Sequence, residues 1–131
     1  MPRRLTDEER LLRTVTEKHL DEDVRRECKR LSWRRYHTFR SDRSPSGFPD
    51  LCLVRECVLF AELKRENASP TPDQVLWLDD LALAGAHVFL WKPSHFTSGE
   101  VTRILTFPLE TQSMSAWPSR WRVVNRDRGP V

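Results

Sequence analysis

Two apolar runs most constrain how this 131-residue chain can fold. They are "PDLCLV", Pro49 to Val54, and "VLFAELK", Val58 to Lys64, and only Arg55, Glu56 and Cys57 lie between them. Strands so close in sequence pair as an antiparallel hairpin. Side chains alternate along a strand, so Glu62 and Lys64 share a face. Asp50 joins them only in a register with an even residue sum, such as 50 opposite 62. An odd-length loop, Arg55-Glu56-Cys57, produces that register. A two-residue turn at Arg55-Glu56 puts Asp50 and Glu62 on opposite faces. No Asn-Gly or Asp-Gly demands the shorter turn, so the first register is allowed but not forced.

Elements before and after the hairpin follow from local signals. Thr6-Asp7-Glu8-Glu9 has the form of a capping box and starts a short helix. A second helix is predicted from about Thr16 to Leu31, with Leu20, Val24, Cys28 and Leu31 on one stripe. "WRRYHTF", Trp33 to Phe39, alternates as a strand does, and "RSDRSPSG", Arg40 to Gly47, reads as a loop. Thr71, Pro72 and Gln74 suit the N-cap, N1 and N3 positions of a helix that ends near Ala84, with Gly85 just beyond. "AHVFLW", Ala86 to Trp91, fits a buried strand ended by Pro93, and Gly99 to Leu105 suits a further short helix. The order is α-β-β-β-α-β. A meander of three strands is followed by a crossover helix, so the fourth strand runs parallel to the third. After Phe107 the pattern fails, and Trp117 and Trp121 stand isolated in a segment expected to be an irregular arm ordered only against a partner. The expected divisions are residues 1–15 as a helical extension, 16–107 as the main domain and 108–131 as the arm.

Hydrophobic residues make up 38% and charged residues 31%, which suits one soluble domain with a modest core. No apolar run approaches a membrane span, and the N-terminal segment lacks the apolar stretch of a secretory signal. Cys28, Cys52 and Cys57 are odd in number and read as small buried hydrophobes of a reducing compartment. Net charge is +3, yet eight Lys and Arg crowd between Arg25 and Arg43. Such a stripe is either a solvated face or the footprint of a nucleic-acid binder. Arg34, Arg35, His37, Arg40 and Arg43 are the candidate DNA contacts, because the Arg40–Gly47 loop must end beside Asp50.

Asp50, Glu62 and Lys64 on one face of a sheet leave one carboxylate unpaired even if the lysine neutralises the other. An isolated buried charge costs several kcal/mol. A divalent cation removes that cost, and Mg²⁺ takes carboxylate oxygens while keeping waters that phosphate can displace. A cation, an activated water and a cationic partner are the parts that phosphodiester hydrolysis needs. A buried ion pair with no catalytic role remains the alternative.

"GFPD" followed, after eleven residues, by "ELK" resembles the PD-(D/E)xK nuclease superfamily. "GFPDLCLVR", "VLFAELK", "SPTPDQVLWLDDLALAGAHVFLWKP" and, more loosely, "TEKHLDEDV" resemble its VRR-NUC family, in the short stand-alone form common in phages and bacteria. The likeness spans residues 16–93, about 60% of the chain. It implies an α/β, restriction-endonuclease-like αβββαβ core with a four-stranded mixed sheet flanked by helices. It also implies a metal-dependent deoxyribonuclease, an endonuclease using Mg²⁺ or Mn²⁺. Asp50 and Glu62, with the Leu63 backbone carbonyl, resemble the metal ligands, and Lys64 resembles the catalytic lysine. Gln74 matches the glutamine near the site, and Glu17 the acid of the first helix. Gln74 equally completes a capping box with Thr71, and Glu17 one with Thr14.

The expected substrate is DNA, branched or flapped as at a Holliday junction. The protein is expected to act as a homodimer with Trp33 or the tail near the interface, in the cytoplasm of a bacterial or phage-infected cell. No organic cofactor and no membrane partner are expected. The alternatives are a non-catalytic nucleic-acid-binding module on the same fold and an RNA-cleaving enzyme.

Overall fold

A computed structural model describes residues 2–39, 45–112 and 117–125. Helix α1 (Asp7–Thr14) starts with the Thr6–Glu9 capping box. Thr14 closes it, donating from Oγ1 to the Leu11 carbonyl at 2.6 Å. Thr16, not Thr14, caps helix α2 (Glu17–Arg30), accepting from the His19 N–H at 3.1 Å. The Thr14–Glu17 box therefore does not form, and Glu17 is the first residue of α2.

Strands β1 (Arg34–His37), β2 (Leu51–Val54), β3 (Val58–Leu63) and β4 (His87–Trp91) form one sheet in that order. The first two pairings are antiparallel, and β3 and β4 run parallel. Helix α3 (Pro72–Leu83) makes the crossover, opened by Thr71 and Gln74 as a capping box. The fold is the four-stranded mixed sheet flanked by helices that the element order implies. Pro93 ends β4 but also starts a short helix, α4 (Pro93–Thr97), which the sequence pattern does not reveal. Helix α5 (Glu100–Thr106) and a 3₁₀ turn (Pro108–Gln112) follow.

The sheet is covered on both faces. Leu51, Leu53, Leu59, Ala61, Leu63, Phe89 and Trp91 pack against Leu20, Val24 and Cys28 of α2 and Val101, Ile104 and Leu105 of α5. Each buried Leu, Val, Ile or Phe among them contributes about 1.5–3 kcal/mol. Val88 and Leu90 turn the other way, to Val75, Leu78 and Leu81 of α3. Among the described residues no helix is long and apolar enough to cross a membrane.

Trp33 lies in the core at 6% exposure, its indole N–H donating to the Leu105 carbonyl at 2.8 Å. One expectation needs correction. Residues 117–125 need no partner chain to be ordered. Leu90 N–H donates to the Ser119 carbonyl at 2.9 Å and Trp121 N–H to the Val88 carbonyl at 2.8 Å, so the segment pairs with the free edge of β4. Trp117 and Trp121 are buried there. Asp79 of α3, fully buried, accepts from Trp121 Nε1 at 2.8 Å, Val124 N–H at 2.9 Å and Asn125 N–H at 3.0 Å. An unpaired strand edge and two apolar rings supply the reason, and neither leaves a periodic pattern in sequence.

Asp79→Ala strands three donors at once and should lower stability by about 3 kcal/mol. Urea unfolding followed by circular dichroism measures this. An unchanged midpoint would show that residues 117–125 add nothing to the fold.

Candidate active site

The hairpin loop is the three-residue one. Val54 stands opposite Val58 and Leu51 opposite Ala61, and Arg55 N–H donates to the Cys57 carbonyl at 3.1 Å. Continuing that register places Asp50 opposite Glu62 and Pro49 opposite Leu63. The Asp50 Oδ2 accepts from the Leu63 N–H at 2.9 Å. On its other side Asp50 is held by its carbonyl, which accepts from Thr38 N–H at 2.8 Å. Pro49 has no N–H to give the Leu63 carbonyl, which leaves that oxygen free of a ladder donor from β2.

Glu62 is 1% exposed. Its Oε1 accepts from Gln74 Nε2 at 3.4 Å, and its buried Oε2 has no hydrogen-bond partner. Burial, and then the Asp50 carboxyl beside it, push the Glu62 carboxyl up to about 10, against the pull of the Lys64 ammonium. Glu17 adds a weaker push from the start of α2. Lys64 is 8% exposed, and no carboxylate among the described residues lies within 4.0 Å of its ammonium. The simple buried ion pair is therefore absent. Two carboxylates crowd each other while the nearby cation stands off, which is an unfavourable arrangement for the protein alone.

The donor set fits a hard divalent cation. Asp50, Glu62 and the Leu63 carbonyl supply oxygens, and the unpartnered Glu62 Oε2 is an atom such an ion satisfies. Among the described residues no three His, Cys, Asp or Glu side chains form a metal-holding group. Two carboxylates with a backbone carbonyl and water suit Mg²⁺ or Mn²⁺ better than zinc.

Gln74 carries both roles open to it. Its Oε1 accepts from Thr71 N–H at 2.8 Å, capping α3, while its Nε2 reaches Glu62. Glu17, half-buried, borders the site without joining the two carboxylates. Arg34 is exposed on β1. Arg35 pairs with Asp21 of α2 at 2.5 Å, and His37 Nε2 lies 3.8 Å from the same carboxylate. By strand parity Arg35 and His37 turn to the α2 face, away from the face of Asp50 and Glu62. Arg40 and Arg43 lie outside the described residues.

Gly47, which in sequence ends a loop and opens the "GFPD" motif, also belongs to the site's support. Its φ is +94°, and a Cβ there would lie 2.6 Å from the Asp73 backbone carbon and oxygen. Ser46 Oγ donates to Asp73 Oδ2 at 2.5 Å. Phe48 then packs edge-on against Phe60 of β3 and Trp77 of α3, at 5.9 and 5.1 Å between centroids. The segment carrying Asp50 is thus pressed onto the helix that carries Gln74. Sequence shows a glycine before "FPD", but nothing local shows what its hydrogen must clear.

The topology has a counterpart among solved structures. A solved structure described as "VRR_NUC domain" shares the fold, with a TM-score of 0.55, 23% identity, and coverage of 70% of this chain and 96% of that one. No family model matches the chain, and no curated protein matches it.

Two outcomes are expected. Gly47→Ala should destabilise the protein by about 2–3 kcal/mol, more than Gly85→Ala. Gly85 has a similar φ of +95° but nothing within 4 Å of an added Cβ, so the difference isolates the clash with α3. Equal losses in thermal or urea unfolding would remove the role given to that contact. The second outcome concerns pH. Folding raises the Glu62 pKa, so the native chain keeps a proton that the unfolded chain releases. That contribution is complete below the unfolded pKa and is lost as pH climbs toward about 10. Without divalent cation, Glu62→Gln should exceed the parent in stability at neutral pH. The gain should grow from about pH 5 to about pH 9 by at most about 1.4 kcal/mol per pH unit. A pH-independent difference would show that Glu62 is ionised throughout.

Proposed function

We propose that this protein is a metal-dependent nuclease that hydrolyses phosphodiester bonds of DNA, as an endonuclease. The observation that carries the reading is the Asp50–Glu62 pair, with Glu62 Oε2 buried and unpartnered and Lys64 on the same face without an ion pair. Asp50, Glu62 and the Leu63 carbonyl would hold Mg²⁺ or Mn²⁺. When bound, the cation supplies charge neutralisation at the phosphate and lowers the pKa of a coordinated water.

The chain's own residues supply the rest. Gln74 fixes the Glu62 carboxylate by donating to Oε1. The Leu63 N–H fixes the Asp50 carboxylate in the same way. Lys64, without a competing carboxylate, would orient the attacking water and hold charge on the phosphate as it develops. Core packing behind β3 keeps water from the far side of the carboxylates, which strengthens each of these interactions.

Branched or flapped DNA as substrate and a homodimer as the working form belong to the same proposal. Support for both is the family resemblance in sequence and the small size of the domain, which suits two-fold pairing on a two-fold nucleic-acid structure.

Purified protein incubated with linear, flapped and four-way DNA should cut with Mg²⁺ or Mn²⁺ and not with EDTA. Asp50→Asn should reduce cutting by more than about 100-fold while DNA binding persists, because the change removes ligand charge and keeps size. Full activity of Asp50→Asn, or activity undiminished by EDTA, would sink the assignment. Cutting confined to a parallel RNA substrate would move the proposal to ribonuclease chemistry.

A further inference from the structure

The two carboxylates call for a cation, and the same end of the sheet carries an arrangement that calls for an anion. β3 and β4 run parallel with Glu62 opposite Leu90 and Leu63 opposite Trp91, and Lys64 N–H donates to the Trp91 carbonyl at 3.0 Å. The next residues of the two strands are Lys64 and Lys92. Lys92 is still extended, with φ −119° and ψ 164°. Alternation from Glu62 and Leu90 puts both lysines on the face of the carboxylates. Neighbouring strands lie about 4.8 Å apart, so the two long cationic side chains start from adjacent backbone.

No carboxylate among the described residues lies within 4.0 Å of either ammonium. Glu66, close by in sequence, instead accepts from the Ser94 N–H at 2.9 Å. Lys92 has no capping duty in its side chain, since its backbone N–H makes the bond to His95 Nδ1 at 3.0 Å. Like charges side by side on a sheet repel. A phosphate oxygen between or above them removes that repulsion with two charge-assisted hydrogen bonds.

We propose that Lys92 is a second phosphate-contacting residue of this site, beside Lys64. It takes a non-bridging oxygen of the nucleic-acid backbone at the phosphate next to the one over Asp50 and Glu62. The identity of the anion as nucleic acid rests on the nuclease reading; the lysine pair does not.

The test is binding of flapped DNA to the full chain across a salt series, in EDTA and again with Ca²⁺, for the parent, Lys92→Gln, Lys92→Arg and Asp50→Asn. Lys92→Gln should lower the log–log salt slope by about 0.9, the value of one duplex phosphate contact, and Lys92→Arg should keep it. Asp50→Asn should not lower it. With Mg²⁺, Lys92→Gln should raise KM more than it lowers kcat. An unchanged slope in Lys92→Gln overturns the proposal, as does a parent protein that binds no DNA under either condition. If both Lys92 variants lose the folded circular dichroism signal, the side chain is structural and the proposal fails. A parent that binds DNA but never cuts it removes the nuclease reading, yet a slope lowered in Lys92→Gln alone still supports the contact.

Discussion

The β2–β3 register is the constraint on which the rest depends. A shift of one residue would carry Asp50 to the α2 face and leave Glu62 buried without its neighbour. The three-residue loop is held in place well beyond its own backbone. Arg55 donates to the Leu31 carbonyl at 3.0 Å and the Thr106 carbonyl at 3.2 Å, and its guanidinium lies 4.8 Å over the Trp33 ring. The loop is therefore tied to the ends of α2 and α5. At the opposite end of the hairpin, the Asp50 carboxylate takes the Leu63 N–H that a longer β2 would have paired. One side chain thus closes the ladder and opens the site.

Helix α3 joins the site to the remainder of the molecule. Its first turn meets Gly47 and Ser46 and sends Gln74 to Glu62. Its middle, through Asp79, gathers the segment that pairs with β4. A helix anchored at both places cannot drift from the sheet without breaking buried hydrogen bonds. That rigidity holds Glu62 in a place where its charge is disfavoured. The Asp50–Glu62 repulsion is local, whereas the contacts that enforce it come from every part of the fold.

Much of this was legible in the residues. The capping signals at Thr6 and Thr71 mark real helix starts, because a cap is a bond within four residues of itself. The parity of positions 50 and 62 allows the carboxylates a shared face, and the three-residue loop seen in the fold selects it. Thr14 misled as a cap for Glu17, since two threonines two residues apart offer equal local chemistry and only the break between α1 and α2 chooses Thr16. Arg35 and His37, candidate DNA contacts by sequence, lie beside Asp21 of α2, a neighbour sixteen residues or fewer away that no pattern announces. The two tail tryptophans, isolated in sequence, are core.

By itself the sequence determined the αβββαβ order of the core elements and the candidate pair of carboxylates. These depend on periodicity, caps and loop length, all of which act over a few residues. The tertiary structure alone decided that Gly47 must clear the backbone of Asp73, that Asp79 binds the chain near Val124, and that Lys92 comes up beside Lys64. Each of these joins residues more than twenty positions apart. Nothing in local conformational preference fixes such distances; the packing of helices on both faces of one sheet does.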